Sequence, residues 1–170
     1  MTLEAAVADG ADEPSFEAWV KLHSPALQRF AYQICGSRED ASDAVQDALI
    51  GLYPRWGQVV GHADAYVRRS ILNANISRWR KFRGEVLAIT PNEPADPSDH
   101  FAAADDADAA GRLFASVSPR QRAALVLRFY EQFSFAEIAL VLDVAEPTAR
   151  SLVHRALASL RATWQEDDHA

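Results

Sequence analysis

The sequence predicts an all-α protein, two small helical domains joined by a flexible linker, with a helix-turn-helix in the C-terminal domain. Apolar residues recur at three- and four-residue steps along most of the chain, and no stretch of useful length alternates in the manner of a strand. Serine caps, first-turn prolines and a stop glycine fall between the periodic stretches. An interval rich in Pro, Ala and Asp separates the two periodic halves. The expected organisation is a disordered lead-in at 1–13, a first domain at 14–84, an acidic linker at 85–107, a second domain at 108–163 and a tail at 164–170.

In the first domain, Phe16, Trp19, Val20, Leu27, Phe30, Ala31 and Ile34 keep helical step, but Ser24 followed by Pro25 pairs an N-cap with a first-position proline. One helix is expected to end near His23 and another to begin at Pro25. Gly36 stops the second, and Ser37 with Asp40 resembles a capping box for a third. That third helix carries Ala41, Ala44, Val45, Ala48, Leu49 and Leu52 as an apolar stripe, with Asp40, Asp43 and Asp47 on another face. From Pro54 to His62 the period is lost and Gly57 and Gly61 mark a loop.

A further helix is expected from about Ala63 to Arg83. Tyr66, Val67, Ser70, Ile71, Ala74 and Ser77 fall on one side of it, and Arg68, Arg69, Asn73, Arg80 and Arg83 on the other. Leu72, Ile76 and Trp79 lie among the basic residues. Periodicity leaves two readings open for them: packing on a neighbouring helix, or an apolar surface for unstacked bases.

In the second domain a helical pattern runs from about Asp108 to Val117, and Ser118 with Pro119 restarts the chain. Ser134 and Glu137 have capping-box spacing and open a short helix with Phe135, Ile138, Ala139 and Leu142 on its apolar side. A tight turn follows at Asp143 to Ala145. The last helix, from about Glu146 to Thr163, buries Ala149, Val153, Ala156, Leu157 and Leu160 and turns Arg150, Ser151, His154, Ala158 and Arg161 outward. That arrangement fits a recognition helix in the major groove, and equally a helical hairpin with a solvated face.

The net charge of −7 argues against a generic nucleic-acid binder, yet the charges are segmented. Ala65 to Gly84 holds six basic residues and no acid, whereas Glu85 to Asp108 holds seven acids and no base. The one cysteine, Cys35, excludes an internal disulfide and a thiolate zinc cluster, and its apolar setting predicts an inert buried thiol. No apolar run reaches a membrane span and the start lacks a secretory signal, so the expectation is a cytoplasmic protein without membrane insertion. The five histidines are scattered and there is no glycine-rich phosphate loop, so neither an enzyme nor a cofactor or metal site is expected.

Three blocks in order, Arg38 to Tyr53, Ala65 to Arg83 and Ser118 to Arg161, resemble regions 2 and 4 of the extracytoplasmic-function class of sigma-70 RNA polymerase sigma factors. The likeness implies a protein that binds RNA polymerase core, recognises minus-ten and minus-thirty-five promoter elements and promotes DNA opening. By the same likeness Asp40, Asp43, Gln46 and Asp47 are the docking surface for the clamp of the largest polymerase subunit, and the second domain meets the flap of the second subunit. Trp56, His62 and Asn73 belong to the minus-ten reading surface, with Arg68, Arg69, Arg80 and Lys81 on phosphates, which give affinity and register without sequence information. Thr148, Arg150, Ser151, His154 and Arg155 are the minus-thirty-five candidates. An anti-sigma protein is a candidate partner. The acidic linker lies where the family's segment runs toward the RNA exit path, and RNA mimicry and a plain tether both stay open.

The chain departs from the family pattern at the final turn. Asp143 stands where the family commonly has Gly, Ala145 where it has a capping Ser, Pro147 enters the first turn, and Leu152 occupies a frequently basic position. An autonomous helix-turn-helix regulator is the alternative function, but it leaves the Asp40 block and the basic helix unexplained. A helical module that only holds a protein partner leaves the outward Arg and Asn positions unused.

Overall fold

The computed structural model describes residues 14–89 and 116–167, with side chains placed over 14–81 and 116–165. The expected lead-in, residues 90–107 of the linker and most of the helix expected at 108–117 lie outside the described residues. Among the described residues the chain is helical and without strands.

The first helix, α1 (Phe16–Cys35), starts at Ser15, whose Oγ accepts the Ala18 N–H at 3.2 Å. It runs straight through Pro25, so the break expected at Ser24 is not there. Just before the proline, side chains add bonds back to the helix: Ser24 Oγ donates to Val20 O at 2.6 Å and His23 Nδ1 lies 2.9 Å from Trp19 O. Leu27 and Phe30, with no exposed surface, then hold the C-terminal half in place, and their burial outweighs the local preference for a stop. Gly36 ends the helix with φ 74°, the left-handed conformation that favours glycine, and its N–H reaches Tyr32 O at 2.8 Å.

Ser37 caps α2 (Arg38–Leu52) by accepting the Asp40 N–H. The expected stripe of Ala41, Ala44, Val45, Ala48 and Leu52 is buried, and its alanines bring α2 close to α1. The segment read as a loop is instead a run of short turns: a 3₁₀ turn at Tyr53–Arg55, α3 (Trp56–Val59), and a second 3₁₀ turn at Val60–His62. Gly57 and Gly61 marked it as a loop, but neither takes a positive φ, so neither breaks the turns.

Helix α4 (Ala63–Ile89) continues through 85–89, which the sequence assigned to the linker. Val67, Ile71 and Leu72 are buried along it. Leu72 therefore packs on neighbours, while Ile76 and Trp79 are half-buried. Ala74 and Ser77, expected on the inner side, are exposed, and Arg68, expected on the outer side, is buried.

In the second unit Ser118 and Gln121 form a capping box for α5 (Pro119–Leu125), which passes into a π-helical turn at Val126–Tyr130. Gln132, at φ 60°, redirects the chain toward Ser134, and a second capping box with Glu137 opens α6 (Phe135–Leu142). After a tight turn comes α7 (Glu146–Asp167). Ala123, Ala124, Leu127, Ile138, Leu142, Ala149, Val153 and Ala156 fill the space between these helices. Leu157 and Leu160, expected in the core, are only partly buried. Helix α4 packs on α1 and α2 of its own unit and on α5 and α6 of the other, so the two cores meet across it.

No helix among the described residues is long and apolar enough to cross a membrane. Burial pushes the Cys35 thiol up to about 11, in keeping with an inert side chain. The continuous α1 predicts that Pro25→Ala, which restores a backbone donor, raises stability in urea titration by about 1–2 kcal/mol. A loss of stability would instead indicate that the chain needs a break at Ser24.

Candidate nucleic-acid interface

The basic face of α4 divides into residues that reach solvent and residues that do not. Asn73, Arg80 and Lys81 are exposed. Arg68 is only 3% exposed. Its Nε donates to Asp64 Oδ2 at 2.7 Å on the same helix, and its Nη1 sits 2.8 Å from Glu131 Oε2 of the second unit, an ion pair lying off the hydrogen-bond axis. The guanidinium also stacks 4.9 Å from the Phe30 ring centre and 5.0 Å from that of Phe133. In this arrangement Arg68 cannot touch a phosphate, which corrects the outward placement read from the sequence.

Arg69 is partly exposed but also engaged. Its Nε donates to Val141 O at 3.3 Å, its Nη2 to Leu140 O, and Asp143 Oδ1 lies 3.7 Å away. Those carbonyls belong to the C-terminal end of α6, where a cation is favoured by the helix dipole. Glu131 and Phe133 were missed as functional residues. The trace they leave in sequence is a lone acid set in the apolar stretch from Val126 to Phe135, where the regular period lapses.

Trp56 and His62 sit on the turns leading into α4. Trp56 is half-buried with its ring 5.5 Å from those of Phe16 and Trp19, so it anchors the turns to α1. His62 is exposed. Arg55 Nη1 donates to Gly51 O at 3.2 Å and lies 3.4 Å from Tyr66 Oη, tying the same turns to α2 and α4. On α2, Asp43, Gln46 and Asp47 are exposed, whereas Asp40 is ion-paired with Arg78 of α4. Three of the four expected docking residues thus form an open surface, and the fourth holds two helices together.

In the second unit the turn between α6 and α7 is built without glycine. Asp143 takes φ 54° and ψ 54°, and the Val144 N–H reaches Ala139 O at 3.1 Å. Thr148, Arg150, Ser151, His154 and Arg155 are all exposed on α7. Arg150 is held by Glu146 at 3.1 Å and lies 4.3 Å from the centre of the Phe135 ring. Leu152 is partly buried against the core. Opposite, the Ser134 N–H donates to Glu137 Oε2 at 2.7 Å and holds that carboxyl below its ordinary value. The box is therefore intact above the ordinary carboxylate pKa and is lost as pH falls through the depressed one.

This helix-turn-helix, following a four-helix unit with an acidic α2 and a basic α4, coincides with two family models: Sigma-70 region 2 over residues 12–84 and Sigma-70, region 4 over residues 107–160. The chain belongs to the sigma-70 family of RNA polymerase sigma factors, in the extracytoplasmic-function class. It is similar to the RNA polymerase sigma-E factor of Streptomyces coelicolor, 37% identical and covering 86% of this chain and 84% of that one. The sigma-E factor of Streptomyces avermitilis is 33% identical over 90% of this chain and 87% of its own. The extracytoplasmic-function sigma factor SigM of Mycobacterium tuberculosis is 32% identical over 88% and 76%. In fold it resembles the sigma factor RpoE of Bartonella quintana, solved in complex with the anti-sigma factor NepR, with a TM-score of 0.65, 24% identity and coverage of 88% and 96%. These relatives are initiation factors rather than enzymes.

The region 4 turn of this sigma factor carries a cost that a substitution can remove. Asp143→Gly is expected to raise stability by about 0.5–1 kcal/mol in urea titration, because glycine takes the left-handed conformation without penalty. Its exposed pairing with Arg69 offsets little of that gain. A net loss would assign the Asp143 carboxylate a larger part in holding Arg69.

Proposed function

We propose that this sigma factor brings RNA polymerase core to promoters, reads a minus-ten element with region 2 and a minus-thirty-five element with region 4, and promotes strand opening. The observation that carries the reading is the pair of exposed surfaces, one on each folded unit: Asn73, Arg80 and Lys81 on α4, and Thr148, Arg150, Ser151, His154 and Arg155 on α7. His62 and the turns anchored by Trp56 border the first surface. Taking a base out of the stack costs a few kcal/mol, and hydrogen bonding by Asn73 with stacking nearby offsets that cost. Exposed Arg150 and His154 suit the edges of bases in a duplex groove.

Core docking falls to the open Asp43, Gln46 and Asp47 surface of α2, facing the clamp of the largest subunit, with region 4 meeting the flap of the second subunit. An anti-sigma protein is a further partner by likeness to the Bartonella quintana complex. The place of action is the cytoplasm, where polymerase works.

Charge reversal at Asp43 and Asp47 is expected to weaken binding to core polymerase at unchanged helical content. Unchanged affinity in a titration with purified core would overturn the docking assignment.

The two DNA surfaces are expected to fail differently. In holoenzyme, Asn73→Ala should lower permanganate reactivity of the minus-ten region while initial duplex binding persists. Arg150→Ala should weaken closed-complex formation by about 1–3 kcal/mol in filter binding, and a pre-melted bubble template should bypass the defect. Equal loss of duplex binding in both, with no relief from the bubble, would refute this division of labour.

A further inference from the structure

We infer that Glu146 is a specificity-determining residue which, with the Phe135 ring, restricts Arg150 to a G·C base pair in the duplex groove and turns it away from phosphates. The inference rests on the promoter reading proposed above and deepens it at one base pair of the minus-thirty-five element. Glu146 stands in the first turn of α7, where the helix dipole favours an acid, and Arg150 follows one turn later. Arg150 Nη2 donates to Glu146 Oε1 at 3.1 Å, and about half of each side chain stays in solvent. The guanidinium also lies 4.3 Å from the centre of the Phe135 ring. That ring is itself held: it packs partly on the core and has Arg128 4.7 Å from its centre, with Arg128 Nη1 donating to Phe133 O at 2.9 Å.

In water an exposed ion pair contributes little, so Arg150 exchanges Glu146 readily for another acceptor. Against a duplex both groups lose water, and both then need a partner. The class of partner follows from what each surface offers to the two together. A phosphate offers acceptors alone: it takes the guanidinium and leaves Glu146 facing a second anion. The major-groove edge of a G·C pair offers two adjacent acceptors, guanine N7 and O6, followed by the cytosine N4 amino donor. Arg150 takes the two acceptors with its fork, and the released Glu146 carboxylate accepts from the amino group. An A·T pair sets its acceptors, adenine N7 and thymine O4, on either side of its amino donor, so no two adjacent atoms receive the fork. Phe135 limits the directions open to the guanidinium during the exchange, through the attraction of a cation for a ring face.

The test uses holoenzyme and a pool of linear duplexes randomised over both promoter elements, from which the bound fraction is sequenced. Parent holoenzyme is expected to select a G·C pair at one position that Arg150→Ala no longer distinguishes. Filter binding then compares the selected duplex with its version carrying A·T at that position. Glu146→Ala is expected to lower the ratio of the two affinities about tenfold. Glu146→Gln, whose side-chain oxygen still accepts an amino hydrogen, should recover part of that ratio. A purely structural role at the helix start would lower both affinities together, and an unchanged ratio in Glu146→Ala overturns the inference whatever the affinities do. If Arg150→Ala keeps the parent's full preference, the inference falls together with the reading of the minus-thirty-five element by Arg150. If Arg150→Ala loses the preference and Glu146→Ala keeps it, that reading stands and the inference alone falls.

Discussion

A guanidinium taken out of water must be met on every side by carboxylates or ring faces, and Arg68 collects those groups from both folded units. Its position on α4 is set by neighbours it cannot choose, since Val67, Ile71 and Leu72 must face the region 2 core. Arg68 then falls at the edge of that core, where Glu131 and Phe133 of region 4 lie across it. The need to neutralise one side chain therefore fixes where Glu131 and Phe133 must be, and with them the π-helical turn that carries them. An apolar residue of similar size would pack there at a lower desolvation cost.

Helix α4 serves three surroundings at once. One side meets α1 and α2, a second meets α5 and α6, and the third presents Asn73 and Arg80 to solvent. The same economy appears on α2, where Asp40 is spent on Arg78 while Asp43 and Asp47 stay open. A net charge of −7 is thus no guide to how the protein meets nucleic acid. The charges that matter are sorted by helix face, and the Asp40–Arg78 pair between α2 and α4 shows that some of the sorting serves packing rather than recognition.

What the sequence reveals follows the range of the interaction concerned. The helix-turn-helix was legible because caps and turns are local: Ser134 and Glu137 are joined by reciprocal bonds between residues three apart. The stripe on α2 was legible because a whole face repeats. Ser24 and Pro25 misled because the signal for a stop is local, whereas the burial of Leu27 and Phe30 that overrides it comes from other helices. Gly57 and Gly61 misled for a related reason, since a glycine permits a loop without requiring one. Arg68 was placed outside because a helical wheel drawn for one domain contains no second domain. The candidate site was accordingly half legible: Asn73 and the α7 residues are where the pattern puts them, and the contacts between units had no signature within either pattern.

The departures from the family at the final turn are resolved by physics that does not depend on the usual residues. Asp143 adopts the left-handed conformation expected of glycine because its short side chain tolerates it better than most and because two amides converge on the Ala139 carbonyl. Ala145 offers no side-chain cap, yet its carbonyl accepts from Thr148 and Ala149, and Pro147 sits where a backbone donor would have no helical partner. Leu152 turns toward the core instead of the surface, adding apolar contact where a basic residue would have added charge. The loss falls on attraction for the duplex rather than on the helix. The duplex recognition proposed for region 4 would then lean more on Arg150, and Arg150 is already oriented by Glu146 and the Phe135 ring. Holding the guanidinium in place reduces the entropy it loses on binding, but a base edge must compete with a carboxylate for it. In the proposed reading, such an arrangement would trade strength of binding for discrimination, because only a partner that accepts both guanidinium donors would offer enough to displace Glu146.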